Sequence, residues 1–376
     1  MFKLIPVLLC FQLLLATFTQ SALANLSTPK LSITTIQTPN LKVVGSNGER
    51  GAAIAKLSET KLLLGGGRNG SNLYLYDLNT RSEKLIGRVI PANQRVNDSR
   101  FAITDIAVLS ADNQRASILV SNPIYNRANK CVQVRVSGYE VLLSEVPKLS
   151  KIKDWFTSKP CVPVSAVQHA AGRLEAIDSK SVYLTIGDLG FKKIGSKSDR
   201  GDLGSVFKIS ANKVEKISFG HRNQQGIVLI GENLYTSEHG PRGGDELNII
   251  KKGMDYGWPI VTYGDRYGFF DYVKPTRPGT HEGFEKPLYY WVPSVAPTEL
   301  IQLPKNSSWA GWSEQLVMGT LAKQSLIFIQ LLDKERVGQV VDVDIDERIR
   351  DLEVTTGGSI LATTDSGQLL VINPAA

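Results

Sequence analysis

Polar and charged residues directly precede several short apolar runs of this sequence. One is a potential base, His169, and another is an arginine followed by amides, Arg222 with Asn223 and Gln225. A neutral imidazole can take a proton from a hydroxyl group. The planar guanidinium of arginine pairs with carboxylates through two parallel hydrogen bonds. These residue types indicate a site that binds an anionic ligand and removes a proton.

Such residues can meet only if the elements that carry them surround a common axis. β-branched and aromatic runs bounded by Gly, Asn and Asp recur along the chain, and convincing amphipathic helices are almost absent, which indicates an all-β protein. Six units with a polar start, two apolar strands and a loop can be aligned, among them GRLEAIDSKSVYLTIGDLG and RDLEVTTGGSILATTDSGQLLVI. Their spacing of roughly 45 to 75 residues is typical of propeller blades. We therefore predict a six-bladed β-propeller rather than a pair of β-sandwiches.

The residue before the innermost strand of a blade points toward the mouth of the central channel. Arg222, Arg348 and Arg350 would then converge and form a cationic pocket for a ligand with several carboxylates. For any one of these arginines alone, the alternative is an ion pair at the surface or at a blade edge. Other units place different polar residues at this position: Thr104, Asp105, Thr298 and Glu299.

The segment SEHGPRGGDELN is a candidate calcium loop. Its glycines and Pro241 enforce an irregular backbone whose carbonyl oxygens can turn outward, and calcium prefers oxygen ligands. Asp245 and Glu246 add negative charge nearby. The alternative is an ordinary turn between strands, because Gly-Gly-Asp is common in turns.

The remaining three histidines, His221, His239 and His281, show no zinc-type spacing. We expect them to be structural, with His221 supporting its neighbour Arg222 through hydrogen bonds.

The first residues have the three parts of a secretory leader: a charged start, a short apolar run and small residues at Ala22 and Ala24. We predict cleavage after Ala24, so that residues 1–24 are the leader, residues 25–376 are one propeller domain, and the protein is periplasmic or secreted. The apolar run is shorter than the roughly 20 residues that span a bilayer, so we expect no membrane span. Export would allow a disulfide between Cys131 and Cys161.

The formal net charge of +7 comes from scattered basic residues without a dense Lys/Arg run. This pattern gives little support to nucleic-acid binding. A cationic channel suits a small anionic ligand equally well.

Several motifs in a fixed order resemble one protein family. GHRNQQGI, EHGPRGGDELNII, DYGWP, PSVAPTEL, GWSEQLVMGTL and RIRDLE follow one another as in the soluble quinoprotein glucose and aldose sugar dehydrogenases. The resemblance covers roughly residues 40 to 373. It implies a calcium- and pyrroloquinoline quinone (PQQ)-dependent enzyme that oxidises an aldose to a lactone and passes electrons to an external acceptor. A monomer or a homodimer is compatible with the sequence.

The resemblance also implies roles for individual residues. His169 falls at the catalytic base, and Arg222 at a residue that polarises the quinone carbonyl. Asn223 and Gln225 fall at cofactor and substrate contacts.

Other matched positions would hold the cofactors. Arg348 and Arg350 correspond to the arginines that bind the carboxylates of the quinone. The backbone carbonyls of Gly240 and Pro241 correspond to calcium ligands.

Three positions depart from the family pattern. Gln224 replaces a proline, Gln168 replaces the acid that often precedes the catalytic histidine, and Ala322 replaces a lysine that contacts the quinone. Lys323 follows one residue later, and a shift of one residue in a strand turns a side chain to the opposite face.

Two alternatives to the dehydrogenase remain at this point. A calcium-dependent propeller lactonase would need carboxylates from several blades around one metal. Asp105 and Glu299 are available for this, but the predicted channel is too cationic. A non-catalytic propeller that retains the scaffold would explain Ala322.

Overall fold

The computed structural model describes residues 26–41, 52–66, 70–96, 100–163, 169–268 and 273–375. In these ranges the strands form six sheets of four or five strands, one for each predicted blade, and one additional two-stranded sheet. The helical segments are short 3-10 turns at Pro39–Leu41, Ala92–Gln94 and Ala310–Trp312. No helix in the described ranges is long and apolar enough to cross a membrane. The prediction of a six-bladed β-propeller is confirmed, whereas the predicted leader lies outside the described residues.

Each blade has four strand positions, numbered here from the central channel outward. The innermost strands are β2 (Ala53–Lys56), β6 (Asp105–Ala111), β11 (Ala171–Asp178), β15 (Gln224–Ile230), β21 (Pro297–Gln302) and β25 (Ile349–Val354). The second strands are β3 (Lys61–Gly66), β7 (Arg115–Asn126), β12 (Ser181–Ile186), β16 (Asn233–Glu238), β22 (Leu316–Thr320) and β26 (Ile360–Thr364). The third strands are β4 (Asn72–Asp77), β8 (Cys131–Leu142), β13 (Ser205–Ser210), β17 (Asp245–Ile249), β23 (Ser325–Asp333) and β27 (Gln368–Pro374). The outermost strands are β5 (Ser82–Arg88), β9 (Lys148–Thr157), β14 (Lys213–Phe219), β20 (Tyr289–Trp291), β24 (Arg336–Asp344) and β1 (Leu31–Gln37). Shorter strands are β10 (Val162–Pro163), β18 (Val261–Thr262) and β19 (Arg277–Pro278).

The chain closes the ring at its two ends. β1 pairs antiparallel with β27, so the first described strand completes the last blade, blade 6. Around the channel, the innermost strand of every blade contacts the innermost strand of the next, and β25 contacts β2. The six innermost strands therefore form one continuous wall.

Hydrophobic clusters lie between successive blades rather than within single blades. Leu63 of blade 1 and Ile118 of blade 2 share one cluster, and Phe328 of blade 5 packs in another with residues of blade 6. Leu62 of blade 1 and Leu369 of blade 6 belong to the cluster that closes the ring. Further clusters join blades 2 and 3, 3 and 4, and 4 and 5. Burial of each such side chain stabilises the fold by about 1.5 to 3 kcal/mol, which explains why one blade alone cannot be stable.

A hairpin of blade 2 extends beyond the channel mouth. Asp105, at the start of β6, pairs with Ser121 of β7, and the five residues that follow Ser121 pair with β8 farther out. The predicted disulfide between Cys131 and Cys161 is confirmed and joins this hairpin to the segment before β10. The hairpin thereby forms a covalently anchored wall on the rim.

Candidate active site

His169, Asp188 and Arg222 form a connected group at the channel mouth. His169 Nδ1 lies 2.8 Å from Asp188 Oδ1, and His169 Nε2 lies 3.1 Å from Arg222 Nη2. Because a carboxylate only accepts and a guanidinium only donates, Nδ1 carries the proton and Nε2 presents its lone pair. His169 is 9% exposed. The ring is therefore held in the tautomer that a general base requires.

The Asp188 carboxylate is fixed from several sides. It also accepts hydrogen bonds from the Gly190 amide at 2.7 Å and from Trp258 Nε1 at 2.9 Å. Burial would raise the pKa of Asp188, but His169 and Arg222 hold that pKa below its ordinary value. The guanidinium of Arg222 lies over the Trp258 ring, 5.4 Å from its centroid. The charged Asp188 therefore orients His169, while Trp258 contacts both Asp188 and Arg222.

Glu238, the last residue of β16, holds the residues that precede β15. One carboxylate oxygen accepts from the backbone amide of Arg222, and the other lies 2.9 Å from His221 Nδ1. His221 Nε2 lies 2.8 Å from Ser218 Oγ, and the ring stacks on Tyr256. His221 thus supports Arg222 indirectly, through Glu238.

Arg348 and Arg350 both bind the side chain of Asp365. Arg350 donates from Nε and Nη2 to the two carboxylate oxygens, at 2.7 and 2.9 Å. Arg348 donates from Nε to Asp365 Oδ2 at 2.9 Å and from Nη1 to the Leu321 carbonyl. The side chain of Arg348 is 43% exposed and that of Arg350 15%. Arg348 and Arg350, two residues apart on one blade, thus share Asp365 as a partner, which the sequence did not reveal. Arg222, predicted to converge with them, lines a different small cavity from Arg350.

A common rule places these three acids. Asp188, Glu238 and Asp365 stand at the end of the second strand of blades 3, 4 and 6 or within two residues after it. Each binds residues that precede or begin the innermost strand of its own blade. The aligned repeat contains the signal for this rule, because its loops open with Asp, Glu, Gly or Ser. The role of these loop-opening acids became clear only from their contacts.

The amides beside Arg222 form a short chain. Asn223 Oδ1 accepts from the backbone amide of Ala171, at 3.2 Å, and from Gln225 Nε2, at 2.8 Å. Gln225 and Arg350 both line one small cavity in the channel. Asn223 thus connects blades 3 and 4, and Gln225 faces the cavity beside Arg350.

Asp245 fixes the backbone of the predicted calcium loop through hydrogen bonds. Its Oδ1 accepts from the Gly240 amide at 3.0 Å, and its Oδ2 accepts from Ser294 Oγ and from the backbone amides of Val295 and Ala296. Within the described part of the chain, the carbonyls of Gly240 and Pro241 accept no hydrogen bond. Both residues line a second small cavity together with Arg222. Two carbonyl oxygens without a hydrogen-bond donor, beside this cavity, are ligands of the kind that a hard cation prefers.

The other two histidines have structural partners. His239 Nε2 lies 2.7 Å from the Pro297 carbonyl, and burial lowers the pKa of His239 to about 4, so its ring is neutral at physiological pH. His281 Nε2 lies 2.7 Å from Glu246 Oε1. Glu246, expected as a negative charge near the calcium loop, is therefore engaged by His281.

Lys323 does not take the place of the lysine that the family pattern has at the position of Ala322. Its Nζ lies 3.3 Å from Asp342 on the outermost strand of blade 5, and Ala322 is exposed. The shift of one residue therefore directs Lys323 toward β24.

The middle of the channel differs from the cationic channel that we expected. Arg173 Nη1 lies 2.8 Å from Asp351, 3.1 Å from Glu299 and 3.7 Å from Asp105. Burial raises the pKa of Asp105 to about 8 and that of Glu299 well above its ordinary value, against the attraction of Arg173. The middle of the channel therefore holds three acids around one arginine instead of an excess of positive charge. The acids that a lactonase would use for its metal do come together, but the Arg173 guanidinium lies among them.

Comparison with known proteins gives a consistent set of relatives. A sequence profile described as "Glucose / Sorbosone dehydrogenase" matches residues 103–371. Aldose sugar dehydrogenase YliI of Escherichia coli is 28% identical over 256 residues, which are 63% of this chain and 68% of that protein.

Solved structures share the propeller fold. The apo form of the soluble aldose sugar dehydrogenase from Escherichia coli superposes with a TM-score of 0.72 and 21% identity, covering 92% of this chain and 100% of that chain. The PQQ-bound form of the aldose sugar dehydrogenase from Streptomyces coelicolor has a TM-score of 0.65 and 19% identity, with the same coverage.

Proposed function

Because this chain belongs to the glucose/sorbosone dehydrogenase family, we propose that it oxidises an aldose at the anomeric carbon to the lactone, using PQQ and calcium. The observation that carries the proposal is the group His169, Asp188 and Arg222, in which a buried carboxylate orients a neutral imidazole beside a guanidinium. PQQ, when bound with calcium, supplies a carbonyl that accepts hydride from the sugar.

The side chains of this protein would manage the proton and the charge. His169 Nε2 takes the proton of the anomeric hydroxyl as the C–H bond gives up hydride, and Asp188 stabilises the imidazolium that results. Arg222 donates hydrogen bonds at the place where negative charge develops. The hydride and the proton together account for the two hydrogens that an aldose loses on becoming a lactone.

The cofactor fits the residues that are present. Arg348 and Arg350 would bind its carboxylates, for which Asp365 already holds them in one place. Asn223 and Gln225 would supply hydrogen bonds, and the carbonyls of Gly240 and Pro241 would bind the calcium ion.

Export and an external electron acceptor are part of the proposal. The disulfide between Cys131 and Cys161 supports folding in an oxidising compartment, such as the periplasm or the exterior of the cell.

A binding titration and an activity assay test the function. Purified protein should change the absorption spectrum of added PQQ in the presence of calcium and should then reduce a redox dye when an aldose is supplied. His169→Ala should lower turnover by about 10²-fold or more with nearly unchanged PQQ affinity. Arg350→Ala is the matched comparison, since it should weaken PQQ affinity and regain activity at high PQQ. Full sugar oxidation by His169→Ala would refute the assignment of the base.

A further inference from the structure

Arg173 separates the central channel into two compartments. Its side chain is buried and lines the small cavity on the mouth side, beside Gln225 and Arg350. On the other side lies a larger cavity with walls from all six innermost strands. Arg173 and its three acids therefore form the floor of the proposed cofactor site.

The three acids around Arg173 also connect neighbouring blades. Asp105 Oδ2 accepts from the Leu174 amide of blade 3, at 2.6 Å. Glu299 Oε1 accepts from the Ile227 amide of blade 4, at 2.8 Å.

Asp351 makes the third connection. Its Oδ2 accepts from the Ile54 amide of blade 1, at 2.9 Å. The three acids stand on blades 2, 5 and 6 and bind amides of blades 3, 4 and 1, and Arg173 of blade 3 pairs with all three acids. These contacts, at one level of the channel, connect all six innermost strands.

The side chain of Arg173 also contacts the backbone of Arg350, a residue proposed to bind the cofactor. Arg173 Nη2 donates to the Arg350 carbonyl, at 3.1 Å. Arg173 also follows His169 by four residues on the same blade. Among the described residues, Arg173 is the cation that pairs with all three carboxylates. Its removal would leave any of these acids that stays charged without a partner, below a site meant for an anion.

We propose that Arg173 is a positioning residue, which closes the ring of innermost strands and neutralises the floor beneath the anionic cofactor. This inference rests on the proposed function for its effect on PQQ, but not for its effect on ring closure. It predicts that cofactor affinity depends on a residue whose hydrogen bonds are to protein acids and to a backbone carbonyl.

The test compares Arg173→Met with Arg115→Met, which removes an exposed arginine paired with Glu140 on the surface of blade 2. Amide exchange of the calcium-free, PQQ-free protein is followed by mass spectrometry in peptides containing Ile54, Leu174 and Ile227. PQQ affinity is measured by titration in the presence of calcium. We expect Arg173→Met to raise exchange in all three peptides and to weaken PQQ binding at least tenfold, and Arg115→Met to change neither.

A charge rescue separates electrostatics from general loosening. Adding Glu299→Gln and Asp351→Asn to Arg173→Met removes two of the buried carboxylates that lose their cation, and should recover part of the PQQ affinity. If Arg173→Met does not fold, this triple variant and Arg173→Lys carry the same comparison. Exchange and affinity both within twofold of wild type would overturn the inference. Failure of the wild type to bind PQQ would refute the proposed function instead, and the exchange data would still decide on ring closure.

Discussion

Replacement of Asp188 by Asn should impair catalysis without preventing cofactor binding. Asp188 accepts from His169, Gly190 and Trp258 at 2.7 to 2.9 Å. In the proposed reaction, its charge faces the imidazolium that forms when His169 takes a proton. A hydrogen bond to a charged group contributes about 1.5 to 3 kcal/mol. Since about 1.4 kcal/mol changes a rate tenfold, turnover should fall about 10- to 150-fold.

The Asn amide creates a second effect that must be separated from the first. Its NH₂ group would face a donor, either His169 Nδ1 or Trp258 Nε1, so the protein should also lose stability. Trp258→Phe in the Asp188→Asn background removes the indole donor but keeps an aromatic ring beside Arg222. We expect this double variant to regain stability in a thermal melt but not to regain turnover.

The assay measures dye-linked aldose oxidation at saturating PQQ and calcium, together with PQQ affinity. Turnover within twofold of wild type for Asp188→Asn, alongside an inactive His169→Ala, would refute the role of Asp188 in stabilising the protonated base. A large loss of PQQ affinity would instead place Asp188 among the residues that shape the cofactor site.

Three further predictions concern stability. Burial raises the pKa of Glu175 and of Glu353 to about 7 from an ordinary 4.5, so the native state holds more protons than the unfolded state between these pH values. The free energy of unfolding should therefore fall by about 1 to 3 kcal/mol per group as the pH rises from about 4.5 to 7. Denaturant melts of Glu175→Gln should show a smaller fall across this range, and the same fall as in the wild type would contradict the assignment. The side-chain Nε2 and Oε1 of Gln224 are both buried without a hydrogen-bond partner among the described residues. Gln224→Met should therefore raise the free energy of unfolding by about 1 to 2 kcal/mol, and a lower free energy of unfolding would show that the side-chain amide is hydrogen-bonded. Cys131 and Cys161 enclose a separation of 30 residues, so their replacement by Ser should cost about 3.5 kcal/mol by chain entropy, whereas an unchanged melting temperature would show that the bridge constrains little.

The propeller could be predicted from the sequence because each blade repeats a local pattern. Alternating apolar residues, tight turns and polar starts are properties of neighbouring residues, so GRLEAIDSKSVYLTIGDLG indicates β11 and β12 without knowledge of the other blades. The number of units then predicts the number of blades. The disulfide was predictable as well, since only two cysteines follow the predicted leader.

The hydrogen-bond partners of the site residues were harder to predict from the sequence. The motifs identified His169, Arg222 and Arg350, but the acids that hold them lie 15 to 19 residues later, at the end of the next strand. The hairpin folds that distance back on itself, so the two ends meet at the channel mouth. The loop-opening acids of the repeat were a usable signal for this contact.

The sequence by itself determined the repeating strand pattern, the fold and the residue types at the channel mouth. Only the tertiary structure decided the charge of the channel interior, because Arg173 and Asp351 are 178 residues apart and meet only when the ring closes. Ring closure brings side chains from four blades to one axis and removes them from water. In that buried environment the carboxylates can be accommodated only with a cation or a proton, and no local pattern along the chain specifies which of these neutralises them.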